Sequence, residues 1–393
     1  MKYIFLSLLF NKEHETDYLN KIGFLPMSLQ NFQSYLVGGF RDNSIKDFMI
    51  INTLPFPSFP RFGGAKIKSD NFDLCGYNCE TIEYLNFPVI KNFSKQSSVV
   101  KTLLKRIDPN ECNCIIVYSL YIPYLKACLK IKKLYPNTKI HVIIPDLPYP
   151  YSPKPKSAVV RVWDALYERK SIKIAKRFDS FTFLTSDMIP VFDAEDKKYC
   201  VVEGIYGGFQ PVNNILKSDK IVFLYSGTLR KWSGIIEFIE AFSKIDNDRL
   251  ELWVFGKGEC SEQIEKMANI DFRIKYYGFV ENAILLEKMQ ASSFLINPRK
   301  NFGEYVKYSF PSKTMEYLST GIPILMYKLE GIPQEYDEYL NYFGDNLEES
   351  LRNVLSMNYE KLIEKANKGK EFLLIKKTPK PQVEKIIKTI GGN

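Results

Sequence analysis

Short apolar runs, each stopped by glycine, proline or a polar cluster, recur along the whole chain. They alternate with longer stretches whose apolar residues return every three or four positions. That pattern predicts buried strands alternating with amphipathic helices. Tyr3–Phe10 predicts the first strand, and a helix over Met27–Val37 follows, stopped by Gly38 and Gly39. Further strands are predicted at Asp47–Asn52, Cys114–Ser119, Ile140–Ile144, Phe181–Thr185 and Cys200–Glu203. Helices are predicted at Ser97–Ile107, Tyr121–Leu134 and Ser157–Phe178. The rhythm then restarts with strands at Ile221–Tyr225, Leu250–Phe255, Arg273–Tyr277, Ser293–Pro298 and Ile322–Tyr327. Helices Ile235–Ile245 and Ala283–Ala291 lie between them, and another opens at Pro311 and ends at Gly321. Helices Asn346–Met357, Tyr359–Leu374 and Gln382–Ile390 close the chain, with Pro379 and Pro381 breaking it before the last. This alternation predicts an α/β protein.

Residues 204–219 interrupt the pattern with Gly207, Gly208, Pro211, Asn213 and Asn214. They predict an interdomain linker at 207–219, between a first domain at 1–206 and a second at 220–379. A chain of 393 residues is long enough for each domain to bury its own core. The net charge of +9 favours anionic partners such as phosphorylated ligands or an acidic membrane face. No motif for nucleic acid is present, and no nucleic-acid partner is expected. Seven cysteines include Cys75 and Cys79, and Cys112 and Cys114. Neither pair has zinc-site spacing, and the chain's two histidines, His14 and His141, stand far from both. No zinc site is expected at these pairs, no cofactor is expected, and reduced cysteines fit a cytoplasmic protein. Asn11-Lys12-Glu13 follows Tyr3–Phe10 at once, so that run predicts a strand rather than a secretion signal. No run approaches the ~20 apolar residues that span a bilayer.

Candidate chemistry gathers where predicted strands run into helices. The stretch after Pro298 is basic, with Arg299, Lys300, Lys307 and Lys313, and it feeds a helix start at Pro311 and Ser312. Cations beside a helix N-terminus suit a phosphate or diphosphate. Lys313, Glu316 and Thr320 share one helical face, which places a carboxylate one turn beyond the cation, where a ribose diol would bind. Gly227-Thr228-Leu229-Arg230-Lys231-Trp232-Ser233-Gly234 is a second glycine-flanked basic loop ahead of a helix. Gly256-Lys257-Gly258 forms a turn between strand and helix that lets backbone approach a phosphate, without the third glycine of a dinucleotide fingerprint. Asp146 follows Pro145 at a predicted strand C-terminus; it is either a ligand-binding residue or the cap of a turn.

Phe310-Pro311-Ser312-Lys313-Thr314-Met315-Glu316-Tyr317-Leu318-Ser319-Thr320-Gly321-Ile322-Pro323 resembles the donor-binding segment of group-1, retaining glycosyltransferases of the GT-B fold, in particular those that build bacterial capsule, exopolysaccharide or O-antigen repeats. The resemblance covers essentially the whole chain and is stronger after Tyr225. It implies two Rossmann-like domains facing across a cleft, a last helix at 380–393 crossing back to the first domain, and a metal-independent reaction. It implies a nucleotide-sugar donor, UDP- or GDP-linked, and a lipid-linked or saccharide acceptor. Glu316 then binds the donor ribose, and Lys313 with Arg230 or Lys231 grips the diphosphate, alongside Arg299 and Ser312. Gly227, Gly256 and Gly258 border the same phosphates. Gly278, Phe279 and Val280 pack on the base through main-chain atoms, and Gly331 meets the sugar and phosphate. Gly23 faces the donor phosphates or simply turns the chain, and Asp146 is the nearest candidate for a catalytic carboxylate. Where the family's pattern has a second Glu this chain has Tyr308, and where relatives carry His-Asp it has Pro145-Asp146.

The predicted helix at Ser157–Phe178 and the residues before it carry Lys154, Lys156, Arg161, Arg169, Lys170, Lys173, Lys176 and Arg177 with Trp163 and Leu166. Such a helix either lies on an anionic bilayer at the inner face of the plasma membrane or presents an ordinary solvated face. Two other functions share the implied fold: a non-catalytic nucleotide-sugar-binding partner of a polysaccharide assembly complex, and a nucleotide-sugar epimerase.

Overall fold

The structure is a computed structural model that describes residues 1–147, 157–208 and 218–391. Most of the 207–219 linker, Lys154, Lys156 and the end of the 380–393 segment lie outside the described residues. The chain divides into two compact units, Met1–Gly207 with the segment from Thr378, and Gly208–Lys377.

In unit 1 the strands are β1 (Lys2–Ser7), β2 (Phe48–Asn52), β3 (Lys66–Ile67), β4 (Asp70–Leu74), β5 (Tyr77–Thr81), β6 (Tyr84–Leu85), β7 (Asn113–Tyr118), β8 (Lys139–Ile144), β9 (Ser180–Phe183) and β10 (Lys198–Val201). Eight of them form one sheet in the order β10-β9-β8-β7-β1-β2-β5-β4. All its pairings are parallel except β4 with β5. Unit 2 contributes β11 (Ile221–Ser226), β12 (Leu250–Phe255), β13 (Ile274–Gly278), β14 (Phe294–Asn297), β15 (Ile324–Met326) and β16 (Asn341–Tyr342). They form a wholly parallel sheet ordered β13-β12-β11-β14-β15-β16. Both units are Rossmann-like, as expected. The strand order reverses between β1 and β7 in unit 1 and between β11 and β14 in unit 2. Such a reversal opens a crevice beyond the strand C-termini, where α/β sheets hold ligands.

The cores explain the apolar runs. Phe223, Leu224, Leu252, Val254, Leu295 and Ile296 are buried in unit 2, as a sheet covered on both faces requires. His141 is a buried core histidine between Ser180 Oγ and Thr182 Oγ1, each 2.8 Å away.

Three sequence expectations are corrected here. β1 ends at Ser7 rather than Phe10. Leu8, Leu9 and Phe10 stay buried because side-chain amides replace the sheet ladder. Gln33 Oε1 accepts from Leu8 N at 2.9 Å, Asn52 Oδ1 from Leu9 N at 2.7 Å and Gln30 Oε1 from Phe10 N at 3.0 Å. The first long helix runs to Asp42, through Gly38 and Gly39. Gly39 is a packing residue: a Cβ there would lie 2.8 Å from Val383 Cβ and overlap the Pro379 carbonyl. Pro379 and Pro381 do not break the chain; they fall in the Pro379–Ile390 helix, at its opening, where a missing N–H costs nothing. That helix packs on Met27–Asp42 through Val383 within unit 1.

Gly39→Val should destabilise unit 1 by about 1–3 kcal/mol through overpacking. Gly38→Ala, whose Cβ finds only Cys75 Sγ at 3.7 Å, should raise stability by about 0.5–1 kcal/mol through helix propensity. Urea unfolding of the two variants should give shifts of opposite sign.

Candidate functional site: the strand ends of unit 2

The site is built around the last residue of β11. Ser226 is buried, and its N–H donates to Tyr317 Oη at 3.1 Å. Lys313 Nζ donates to Ser226 Oγ at 3.1 Å. Both partners come from the helix Lys313–Thr320, which enters after β14 and stands over the strand-order reversal. Tyr317 follows Glu316 by one residue and so turns toward the sheet while Glu316 stays half-buried at the rim. Burial lowers the Lys313 ammonium from its usual value, and the charge of Glu316 offsets this only in part. No carboxylate lies within ion-pairing distance of Lys313, and the Glu316 carboxylate makes no hydrogen bond or ion pair, among the described residues.

The start of this helix differs from the expectation. It begins at Lys313, with Ser312 at the cap and no side-chain capping bond. Thr314 N and Met315 N donate to the Pro311 and Ser312 carbonyls at 2.8 and 3.2 Å. The first turn is thereby tightened, and fewer amides remain for an anion than a regular helix start would offer. Positive charge here rests on side chains. Thr320, expected on the ligand face, is buried and donates its hydroxyl to Tyr317 O at 2.7 Å.

The glycines are explained by loop-on-loop contact. A Cβ on Gly256, where φ is 128°, would overlap the Gly227 carbonyl. One on Gly258 would lie 2.7 Å from the Leu229 carbonyl carbon, and one on Gly227 would lie 3.0 Å from Lys313 Cε. Gly227 N donates to Phe255 O at 3.0 Å and Gly256 N to Gly278 O at 2.7 Å, so the loops after β11, β12 and β13 are laced together. Gly234, at φ 75°, opens the Ile235–Ser243 helix against Pro298 O, which locks the basic loop to the end of β14. Gly331 is buried against the Ser309 and Val306 carbonyls.

Within this frame Arg230 is half-buried and Lys231 exposed, and neither side chain makes a hydrogen bond or ion pair among the described residues. The Lys231 backbone N–H is held by Glu259 Oε1 at 2.8 Å. The Arg299 guanidinium carbon lies 5.2 Å from the Trp232 ring and 5.4 Å from the Tyr305 ring, and its Nε is buried without a partner. Aromatic faces on this scale orient a guanidinium without consuming its donors. Gly278 sits at φ 67° with open space around it, Phe279 is 72% exposed and Val280 half-buried.

The structure brings Lys313, Gly227, Gly256 and Gly258 into one contact network and ties Gly234 and Arg299 to its edge. Ser226, Tyr317, Trp232 and Tyr305 were not singled out from sequence, because only the fold apposes them. The remaining candidates lie in unit 1. Gly23 caps the Glu15–Ile22 helix at φ 73°, with its N–H on Leu19 O at 2.8 Å and nothing within 4 Å of a Cβ. Asp146 follows the end of β8, and burial of its carboxyl raises it above the usual range, offset in part by the Leu147 backbone. No group of side chains able to hold a metal ion is found among the described residues.

Gly256→Ala should destabilise unit 2 by about 2–4 kcal/mol, since both its dihedral and the Gly227 carbonyl oppose a side chain. Gly278→Ala, opposed by its dihedral alone, should cost about 1 kcal/mol. Equal melting shifts for the two would argue against the packed-loop account.

Residues 220–356 match the family model described as Glycosyl transferases group 1. No curated protein sequence matches the chain. Similar solved structures include sucrose-phosphate synthase from Thermosynechococcus elongatus, 12% identical over 99% of this chain and 98% of that one, with a TM-score of 0.59. Anabaena HepE in complex with UDP-glucose is 13% identical over 99% of both chains, with a TM-score of 0.56. An E. coli trehalose-6-phosphate structure bound with UDP-2-fluoro glucose is 8% identical over 99% of both chains, with a TM-score of 0.65. At these identities the likeness is one of fold. The chain thus has the GT-B glycosyltransferase fold, and residues 220–356 of its second unit are similar to the group 1 glycosyl transferase domain.

Proposed function

We propose that this protein transfers a hexose-type sugar from a UDP- or GDP-linked donor to a lipid-linked or saccharide acceptor in the synthesis of a bacterial surface polysaccharide. The observation that carries the reading is Lys313, a largely desolvated cation at the strand-order reversal of the unit that matches the group 1 domain, with no carboxylate within ion-pairing distance among the described residues. The similar structures of Anabaena HepE and of the E. coli protein hold UDP-glucose and UDP-2-fluoro glucose, which supports a nucleotide-sugar donor.

In this reading unit 2 holds the donor and unit 1 receives the acceptor. Glu316 accepts hydrogen bonds from the ribose diol. Lys313, Arg230, Lys231 and Arg299 face the diphosphate with Ser312 beside them. Charge grows on that diphosphate as the glycosidic bond to it breaks, so fixed cations stabilise the transition state more than the ground state. The base lies against the Gly278-Phe279-Val280 turn and the sugar against the Gly331 loop. The reaction retains configuration without a metal ion, the leaving phosphate accepting the acceptor's proton, and Asp146 lies on the acceptor side. The protein works in the cytoplasm, peripheral to an anionic membrane at the plasma membrane's inner face.

A panel of UDP- and GDP-sugars screened by thermal shift, followed by donor-consumption assays with lipid-linked saccharide, tests the proposal. One donor should both stabilise the protein and be consumed. Stabilisation by none of them, with no consumption, would overturn it.

Glu316→Ala should weaken nucleoside diphosphate binding by ~1–3 kcal/mol through lost hydrogen bonds to a charged acceptor. Calorimetric affinity that does not move would remove Glu316 from the ribose site.

The Lys313 ammonium also sets a pH dependence. Burial lowers it in the free protein, and a bound diphosphate favours the charged form, so binding takes up protons above the lowered value and affinity falls as pH rises through it. Calorimetry in two buffers of different ionisation enthalpy should detect that uptake below the ordinary lysine range, and Lys313→Met should abolish it. Uptake unchanged in the variant would assign the proton elsewhere.

A further inference from the structure

Unit 1 holds a cavity of about 700 Å³ between the helices Lys91–Arg106, Ile122–Leu134 and Ala158–Ala175. That size lies within the range of ligand pockets, about 300–1,000 Å³. Its apolar wall comes from Val89, Phe93, Ile122, Trp163 and Leu166. Phe93 and Trp163 are 70% and 69% exposed, which for side chains of this size leaves much apolar surface uncovered.

The wall is fixed in place. Tyr167 Oη accepts from Ile122 N at 3.2 Å, tying the Ala158–Ala175 helix to the start of Ile122–Leu134. Tyr121 Oη donates to Asn92 Oδ1 at 3.0 Å, tying the start of Ile122–Leu134 to Lys91–Arg106.

The charge around the cavity has one sign. Lys126, Arg169, Lys170 and Lys173 line it, and no carboxylate does among the described residues. None of the four side chains makes a hydrogen bond or ion pair among the described residues. Asp164 and Glu168 stand on the same helix but outside the lining.

Apolar walls beside unpaired cations select a molecule that is hydrocarbon at one end and anionic at the other. We propose that this cavity binds the hydrocarbon chain and adjoining phosphate of a lipid-phosphate acceptor, the chain lying against Phe93, Trp163 and Leu166 and the phosphate meeting Lys170 and Lys173. The proposal rests on the glycosyltransferase reading and names its acceptor class. A bilayer surface would meet the exposed Phe93 and Trp163 and leave the cavity itself unfilled. A bare saccharide would need polar partners, and of the lining amides Asn92 is already engaged by Tyr121.

The test uses the full chain with farnesyl phosphate as probe, and farnesol, inorganic phosphate and phosphatidylglycerol vesicles as comparisons. Farnesyl phosphate should bind measurably by calorimetry, and farnesol and phosphate each far more weakly. The exposed double variant K170E/K173E should weaken farnesyl phosphate by at least about tenfold. Leu166→Asp should do the same, with far-UV circular dichroism unchanged in both. Farnesol binding as tight as farnesyl phosphate would overturn the proposal. So would undiminished binding in both variants, or vesicle binding that both variants abolish while farnesyl phosphate is not bound. Nucleotide-sugar stabilisation, measured on the same samples, separates the two readings. Its absence defeats the glycosyltransferase proposal, whereas its presence without farnesyl phosphate binding defeats only the assignment of this cavity.

Discussion

The constraint on which unit 2 depends is the crowding at the end of β11. Lys313 Nζ, Tyr317 Oη and the Gly256 backbone all converge on Ser226 and Gly227. The sheet places them there, because β11 and β14 are neighbours whose outgoing segments leave in opposite directions. Tyr317 satisfies the N–H that β11 leaves unpaired at its end, and so brings in the helix that carries Lys313 and Glu316. Residues that hold the strand end and residues proposed to face a ligand thus share eight positions of one helix. A change at Tyr317 or Gly256 therefore reaches the candidate site through packing, without touching a ligand.

The alternation of strands and helices was legible because both sheets are buried on two faces, which forces long apolar runs. The errors fall where a local rule was overridden by a distant partner. Gly38 and Gly39 read as a stop, but Val383, far away in sequence, needs the bare backbone of Gly39 to pack its helix. Leu8–Phe10 read as strand because they are apolar and buried, but their amides are paired by Gln30, Gln33 and Asn52. A glutamine looks the same in sequence whether it faces solvent or replaces a ladder. Pro379 and Pro381 were misplaced because a proline that opens a helix and one that breaks a chain are told apart only by the conformation of the residues after them.

In the candidate site, the cations and the carboxylate were legible because their spacing is local to one loop and one helix. The partners that hold them were not. The Arg299 stack needs Trp232 and Tyr305 on either side, contributed by two different loops. Gly256 and Gly258 were read as making room for a phosphate, and the structure shows them making room for Gly227 and Leu229. The two roles are compatible in principle, since a loop held this close by its neighbour is also rigid. The chain contact alone is sufficient to require the glycines.

The treatment of charge within unit 2 separates structural cations from open ones. Arg273 is buried and closed: it pairs with Asp271 at 2.7 and 2.9 Å and has the Asn247 carbonyl within hydrogen-bond range. Lys377, almost wholly buried, reaches Glu335 at 2.5 Å. These are the arrangements expected of charges that must be removed from water, because an unpaired buried charge is costly. Lys313 is desolvated as well, yet its hydrogen bond goes to the neutral Ser226 hydroxyl. The Arg299 Nε is buried and receives no acceptor. The fold can supply carboxylates where closure serves stability, and at the strand ends, among the described residues, it leaves Lys313 without an ion pair and only partly offset by Glu316. An anion bound there would restore the missing partner and stabilise the folded chain by mass action, about 2.7 kcal/mol at a hundredfold excess over its dissociation constant. Part of the desolvation cost carried by Lys313 in the free protein would be offset by the charge of a bound diphosphate.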